Sequence, residues 1–67
     1  MSQADTATDA RRKILVVDDH TLVRAGLKQI INQQHGLEVV AEADGPREAM
    51  IEIARTRPDL IIVDITM

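Results

Sequence analysis

Acidic residues directly follow two of the most apolar segments of the sequence. Asp18 and Asp19 come after the apolar run 14–17, and Asp64 comes after the apolar run 60–63. Two like unit charges about 4 Å apart repel by roughly 4 kcal/mol at an effective dielectric constant of about 20. The repulsion between adjacent acids at the end of a buried strand must therefore be relieved. Either a raised pKa keeps one of them protonated, or a cation lies among them.

The ligand type favours the cation. Carboxylate oxygens alone suit a hard cation, and Mg²⁺ is typically held by one or two carboxylates together with waters and a phosphate. A single aspartate at a strand end is more often a helix cap or a solvated turn residue, and Asp19 also fits that role. Two acidic strand ends that are neighbours in the fold favour a magnesium site at Asp18, Asp19 and Asp64 over capping.

Composition limits the other possibilities. The chain has 67 residues, which allows one domain, and it has no cysteine, which excludes disulfides. A net charge of −3 and the absence of Phe, Tyr and Trp argue against direct nucleic-acid binding by this chain. No apolar run approaches the roughly 20 residues of a membrane span, and residues 1–13 lack the apolar segment of a secretory signal. We therefore expect a soluble, cytoplasmic protein with no membrane contact.

The hydrophobic pattern predicts five elements in the order βαβαβ. Continuous β-branched runs indicate strands buried on both faces, and apolar residues at helical spacing indicate the helices between them. Asp19 or His20 can cap the first helix, and His35 and Gly36 can end it. The predicted strands are 13–18, 37–42 and 59–64, and the predicted helices are 21–34 and 46–56.

This order predicts an α/β fold with a parallel, doubly wound sheet. Right-handed crossovers place the two helices on opposite faces if the strand order is 2-1-3. Ligands of such sheets bind outside the carboxyl ends of the strands where the strand order reverses. Asp18, Asp19 and Asp64 are then expected in one crevice. Residues 1–12 have no hydrophobic period and are interpreted as a flexible N-terminal tail.

Three segments resemble a known family. KILVVDDHTLVRAGLKQII, EADGPREAM and RPDLIIVDITM, in this order and spacing, look like the N-terminal half of a response-regulator receiver domain. The DDH-x-LVR-x-GL form is similar to regulators of the NarL/LuxR type. The resemblance implies a truncated flavodoxin-like fold, with residues 13–67 as a partial receiver domain.

The resemblance also implies residue roles. In the family the aspartate that ends the third strand accepts a phosphoryl group from a sensor histidine kinase, which matches Asp64. The acidic pair that holds Mg²⁺ matches Asp18 and Asp19, of which the second is the more usual ligand, and the third protein ligand matches the backbone carbonyl of Thr66. The implied function is signal reception for transcription regulation rather than enzymatic turnover.

The remaining polar residues of this region receive plainer interpretations. His20 is expected in the first turn of the first helix, near the crevice rim. Arg24 and Lys28 are expected on a solvated helix face, although in receiver domains that face commonly meets the kinase.

The family pattern extends beyond Met67, and this raises alternatives. Two more strands and three more helices follow in receiver domains and include the Ser/Thr and Lys that bind the phosphoryl oxygens. We therefore expect an apolar unpaired edge on the third strand, and a homo-oligomer that pairs antiparallel through it or exchanges an element. A self-associating module without phosphotransfer remains the alternative function. A phosphohydrolase of the haloacid dehalogenase kind is disfavoured, because that family needs Asp-x-Asp and the acids here are adjacent.

Overall fold

The computed structural model describes residues 11–64 and contains the five predicted elements in the predicted order. Residues 1–10 of the predicted tail 1–12 and the Thr66 carbonyl lie outside the described residues, whereas Arg12 begins the first strand and was wrongly assigned to the tail. The elements are strand β1 (Arg12–Val17), helix α1 (Thr21–Asn32), strand β2 (Leu37–Ala43), helix α2 (Pro46–Thr56) and strand β3 (Leu60–Val63).

The three strands form a parallel sheet with β1 in the centre. β1 pairs with β2 on one side and with β3 on the other, which confirms the predicted strand order 2-1-3. The central strand is buried on both faces, as its continuous apolar sequence predicts, and Ile14, Leu15 and Val16 are at most 1% exposed. Burying this strand provides the core against which both helices pack.

The sheet separates two apolar clusters. Leu15 and Val17 face Ala49 of α2, whereas Ile14 and Val16 face Ile31 of α1. The two helices therefore cover opposite faces of the sheet, as the right-handed crossovers predict.

A β-bulge in β2 was not predicted. Ile14 pairs with Val39 but Leu15 pairs with Ala41, so Val40 is an extra residue in the ladder. Val40 packs against the α2 side together with Ala41, and every later side chain of β2 therefore points to the opposite face from the one that simple alternation gives. Glu42 consequently lies on the α1 side, where it meets Lys28.

The C-terminal end of α1 differs from the prediction. Its N-terminal boundary at Thr21 is as predicted, but the helix ends at Asn32 instead of residue 34. The N–H groups of Gln33 and Gln34 donate to the carbonyls three residues back, at 3.3 and 3.0 Å. This is the hydrogen-bond pattern of a 3₁₀ turn, and it ends the α-helix. Gly36 then takes the left-handed conformation, with φ of 82°, and leads into β2. His35 lies in this turn and not at the helix end.

Helix α2 follows its sequence signals closely. Pro46 occupies the first helical position, and the Glu48 carboxylate accepts a hydrogen bond from the Asp44 N–H at 2.7 Å. The helix ends at Thr56, directly before Arg57 and Pro58, as predicted. None of the helices in residues 11–64 has the length and hydrophobicity that a membrane span requires.

Asn32 provides a testable link between α1 and the bulge. Its side-chain Oδ1 accepts a hydrogen bond from the Val39 N–H at 2.9 Å, at the position where the ladder is interrupted. We expect Asn32→Ala to lower the free energy of unfolding by about 1 kcal/mol, because the bulge loses an acceptor. Asn32→Asp keeps the acceptor and should cost less. Gln29→Ala, on the exposed side of the same helix, is the control, and urea unfolding followed by circular dichroism measures all three. Equal stability of Asn32→Ala and the unchanged chain would contradict this role.

Candidate functional site

The predicted crevice lies at the carboxyl edge of the sheet. The backbone N–H of Asp64 donates to the Val17 carbonyl at 3.0 Å, which holds the end of β3 beside the end of β1. The crevice has a volume of about 370 Å³, and three of its carboxylates are the predicted ones. Its lining residues are Val17, Asp18, Asp19, Asp44, Gly45, Pro46, Val63 and Asp64.

Asp18 is the buried member of the site. It is 1% exposed, although a carboxylate is rarely buried without partners. Its Oδ1 accepts a hydrogen bond from the backbone N–H of His20 at 2.8 Å, whereas its buried Oδ2 has no hydrogen-bond partner within residues 11–64. The His20 N–H lowers the pKa of Asp18 despite the opposing effect of burial, so the carboxyl group is ionised near neutral pH.

Asp19 forms the solvent-facing side of the acidic pair. Its side chain is 71% exposed, and its Oδ1 lies 3.0 Å from the His20 Nδ1. It does not cap α1, because the N-cap position of that helix is occupied by His20. The two adjacent acids are therefore differentiated by burial, with Asp18 inside the crevice and Asp19 on its rim.

His20 stands where predicted, but its side chain does not cap the helix. The imidazole Nδ1 lies 3.1 Å from the Asp18 Oδ1, in addition to its contact with Asp19. The hydrogen bond to Asp18 raises the pKa of His20, and the charges of Asp19 and Asp64 act in the same direction. A protonated His20 thus offsets part of the negative charge at the crevice rim.

Arg24 and Asp44 belong to the site although the sequence did not reveal them. Arg24 was expected on a solvated face, but its side chain is only 15% exposed. Its Nη1 donates to the Asp18 backbone carbonyl at 2.7 Å and also contacts the Asp44 carboxylate. Its position one helical turn after His20 was the available signal, because a long side chain there can reach back over the strand ends.

The residues present fit a magnesium ion. The ion prefers carboxylate oxygens, and the crevice contains Asp18, Asp19 and Asp64. The buried Asp18 Oδ2 is an ionised acceptor that lacks a donor in the described part of the chain, and a cation would satisfy it. Asp18, Asp19 and the adjacent His20 bring ligand atoms within 4.8 Å of one another.

Known proteins resemble this chain over most of its length. The family model of the response regulator receiver domain matches residues 14–67. Over 55 residues, or 82% of this chain, the chain is 40% identical to the response regulator GacA of Pseudomonas syringae pv. syringae and 44% identical to the oxygen regulatory protein NreC of Staphylococcus epidermidis. It is 40% identical over the same length to a nitrate/nitrite response regulator protein homolog of Haemophilus influenzae. The matched region spans about a quarter of these relatives, 26%, 25% and 26% respectively.

The contact between His20 and Asp18 predicts a measurable titration. We expect the imidazole of His20 to titrate above the ordinary value of about 6.5, and Asp18→Asn to move it back toward that value. NMR titration of the ring protons in EDTA measures both, with Glu52→Gln as the control at a distant ion pair.

The same titration fixes the sign of the pH effect on stability. Because folding raises the pKa of His20, its contribution to the free energy of unfolding is complete below pH about 6.5 and is lost as the pH rises through the folded pKa. A His20→Gln variant should lack this part of the pH dependence. A His20 pKa at or below 6.5 in the unchanged chain would contradict the assignment.

Proposed function

Because the chain belongs to the response regulator receiver domain family, we propose that Asp64 is the phospho-acceptor of a two-component signalling protein and that Asp18 and Asp19 hold the Mg²⁺ it requires. The observation that carries the proposal is the buried Asp18, whose Oδ2 lacks a donor within residues 11–64, in the same crevice as Asp64. The Thr66 backbone carbonyl, which the family pattern gives as a third ligand, completes the proposed set.

The proposed reaction needs little from the protein except position and charge. A carboxylate oxygen of Asp64 attacks the phosphorus of a phosphohistidine in line, the new O–P bond forms, and the N–P bond to the histidine breaks. The electron pair of that bond leaves on the imidazole nitrogen of the kinase. Asp64 suits this role because it lies at the exposed end of β3, where a large partner can reach it.

The residues around Asp64 hold its backbone in place and attract the Mg²⁺ that would bind the phosphoryl oxygens. The Asp64 N–H bonded to the Val17 carbonyl holds the backbone of the acceptor beside the end of β1, so only the side-chain torsions of Asp64 have to be ordered during the reaction. Bound Mg²⁺ supplies positive charge for the phosphoryl oxygens. Asp18 and Asp19 attract that ion because both carboxylates border the same opening.

The wider role is proposed from the relatives. A sensor histidine kinase is the proposed partner, and the encounter takes place in the cytoplasm. Regulators of the NarL/LuxR type, which the sequence resembles, control transcription, and we propose the same output for the parent protein. DNA binding is assigned to a domain other than this chain, whose net charge is −3 and which has no aromatic residue for base stacking.

We also propose that this chain pairs with itself through β3. No strand in residues 11–64 pairs with the outer edge of β3, and Leu60 and Val63 are each 53% exposed. Beside this edge lies a groove of about 300 Å³ between β3 and α2, and it is lined by apolar side chains that include Met50 and Ile61. An unpaired apolar edge next to an apolar groove favours antiparallel pairing of two copies into a six-stranded sheet.

Phosphorylation of Asp64 can be tested directly. Incubation with a small acyl phosphate and Mg²⁺ should add one phosphoryl group, which intact mass spectrometry detects, and EDTA should prevent the gain. Asp64→Asn should abolish it, because the nucleophilic carboxylate is gone. Asp59→Asn, which lies directly before β3 and so at the opposite end from Asp64, should retain it. A gain that persists in Asp64→Asn, or no gain while Mg²⁺ binds to a folded chain, would contradict the proposal.

Self-association predicts a mass that depends on concentration. Light scattering over a concentration series should show dimers, and Val63→Lys should shift the chain to monomers because a charge interrupts the exposed edge. Ile51→Lys is the matched control, since Ile51 is 58% exposed on α2 but does not line the groove. A monomeric, folded chain at every concentration would exclude pairing, and an equal effect of both variants would exclude the β3 edge as the interface.

A further inference from the structure

Arg24 connects the two strand ends that border the acidic crevice. Its Nη1 donates to the Asp18 carbonyl at 2.7 Å and lies 3.4 Å from the Ala43 carbonyl. Those two residues are themselves joined, because the Asp18 N–H donates to the Ala43 carbonyl at 3.0 Å. One guanidinium group therefore ties the end of β1 to the end of β2 at the residue whose side chain enters the crevice.

The guanidinium is itself held in place by two acids. Its Nη1 also contacts the Asp44 carboxylate, and its Nε lies 3.0 Å from the Glu42 Oε1. The contact with Glu42 is an ion pair without hydrogen-bond geometry. Lys28 contacts the other oxygen of Glu42 at 2.5 Å. Arg24 thus meets two backbone carbonyl oxygens and two carboxylates, and these contacts define its orientation.

The bulge at Val40 is what makes this arrangement possible. Without the extra residue, Glu42 would point toward α2 and could not meet Arg24. The register shift therefore brings Glu42 to the face of the sheet from which Arg24 approaches. The side chain of Arg24 is only 15% exposed, whereas those of Glu42 and Asp44 are 35% and 68% exposed, so the guanidinium is more shielded from solvent than the carboxylates that it contacts.

We propose that Arg24 is a positioning residue that holds the backbone at Asp18 so that its carboxylate is directed into the crevice. The proposal deepens the proposed function and rests on it, since the consequence of this positioning is Mg²⁺ affinity. Groups behind the direct ligands orient them, and their loss typically costs about 10- to 100-fold in metal affinity.

A positioning role and a purely electrostatic role predict opposite results. As a nearby positive charge alone, Arg24 would repel Mg²⁺, and its removal would tighten binding. As a positioning group, its loss weakens binding. Lysine keeps the charge, but its single ammonium group cannot place one nitrogen at the Asp18 carbonyl, as Nη1 is, and a second nitrogen beside Glu42, as Nε is. Arg24→Lys therefore separates the two roles, because only positioning predicts that it weakens binding.

The experiment measures the Mg²⁺ dissociation constant of the 67-residue chain by calorimetry. We expect Arg24→Lys and Arg24→Gln each to weaken Mg²⁺ binding about tenfold or more. Arg55→Lys and Arg55→Gln are the matched controls, since Arg55 forms an exposed ion pair with Glu52 on α2, and they should leave the constant unchanged. Unchanged affinity in Arg24→Lys, or tighter binding in Arg24→Gln, would overturn the proposal.

A metal-free measurement separates failure of this inference from failure of the proposed function. In EDTA, Arg24→Lys should shift the backbone amide resonances of Asp18, Asp19 and His20, and leave that of Leu15 unchanged. If the unchanged chain binds no Mg²⁺, the proposed metal site fails, and these shifts still decide whether Arg24 positions Asp18. If the variants do not fold, the guanidinium protons of Arg24 in the unchanged chain decide instead. They should exchange slowly with solvent, and rapid exchange like that of the exposed Arg55 would overturn the proposal.

Discussion

The burial of an ionised carboxylate at the end of the central strand is the constraint on which the site depends. β1 must be apolar and covered on both faces to hold the small sheet together, and Asp18 follows it with only 1% of its surface exposed. The chain offsets the cost locally, through the His20 N–H on one carboxylate oxygen and the Arg24 contact to the backbone carbonyl. The other oxygen has no donor among residues 11–64, so the offset is incomplete. A site that is stabilised only in part favours a ligand of opposite charge.

Much of this site follows from the sequence because parallel strands end together. The apolar runs before Asp18 and Asp64 predict two strands, and short crossovers then predict that their carboxyl ends are neighbours. The strand order, the helix faces and the crevice all depend on this one topological step, and the structure contains each of them. The boundaries were less predictable, since the last turn of α1 depends on competition between helical and tighter hydrogen bonds at Gln33 and Gln34.

The features that were missed depend on long side chains and on register. Arg24 has the sequence position of a solvated residue, and its burial follows from the distance its side chain covers to the ends of β1 and β2. The face on which Glu42 lies is reversed by one extra residue in β2, which no alternation pattern in a short strand reveals. Asp44 follows the end of β2 and contacts Arg24 at the crevice, a pairing that the sequence does not indicate. In each case the chemical type was visible in the sequence, but the tertiary partner was not.

The carboxylates of the crevice differ in their partners. Among the described residues that line it are four carboxylates, and Asp44 is paired with Arg24 within the protein. The Arg24 member of this pair is charged at any physiological pH, and the Asp44 carboxylate raises the pKa of Arg24 further. Asp18, Asp19 and Asp64 border the opening without such a resident partner in residues 11–64, apart from the titratable His20. The charge of Arg24 therefore stabilises the strand ends. The remaining negative charge, on Asp18, Asp19 and Asp64, suits an exchangeable divalent ion. In the proposed function, an anionic phosphoryl group would approach Asp64 against this excess negative charge, and the proposed Mg²⁺ would reduce that repulsion. The proposed metal is thus a consequence of how the strand ends are built.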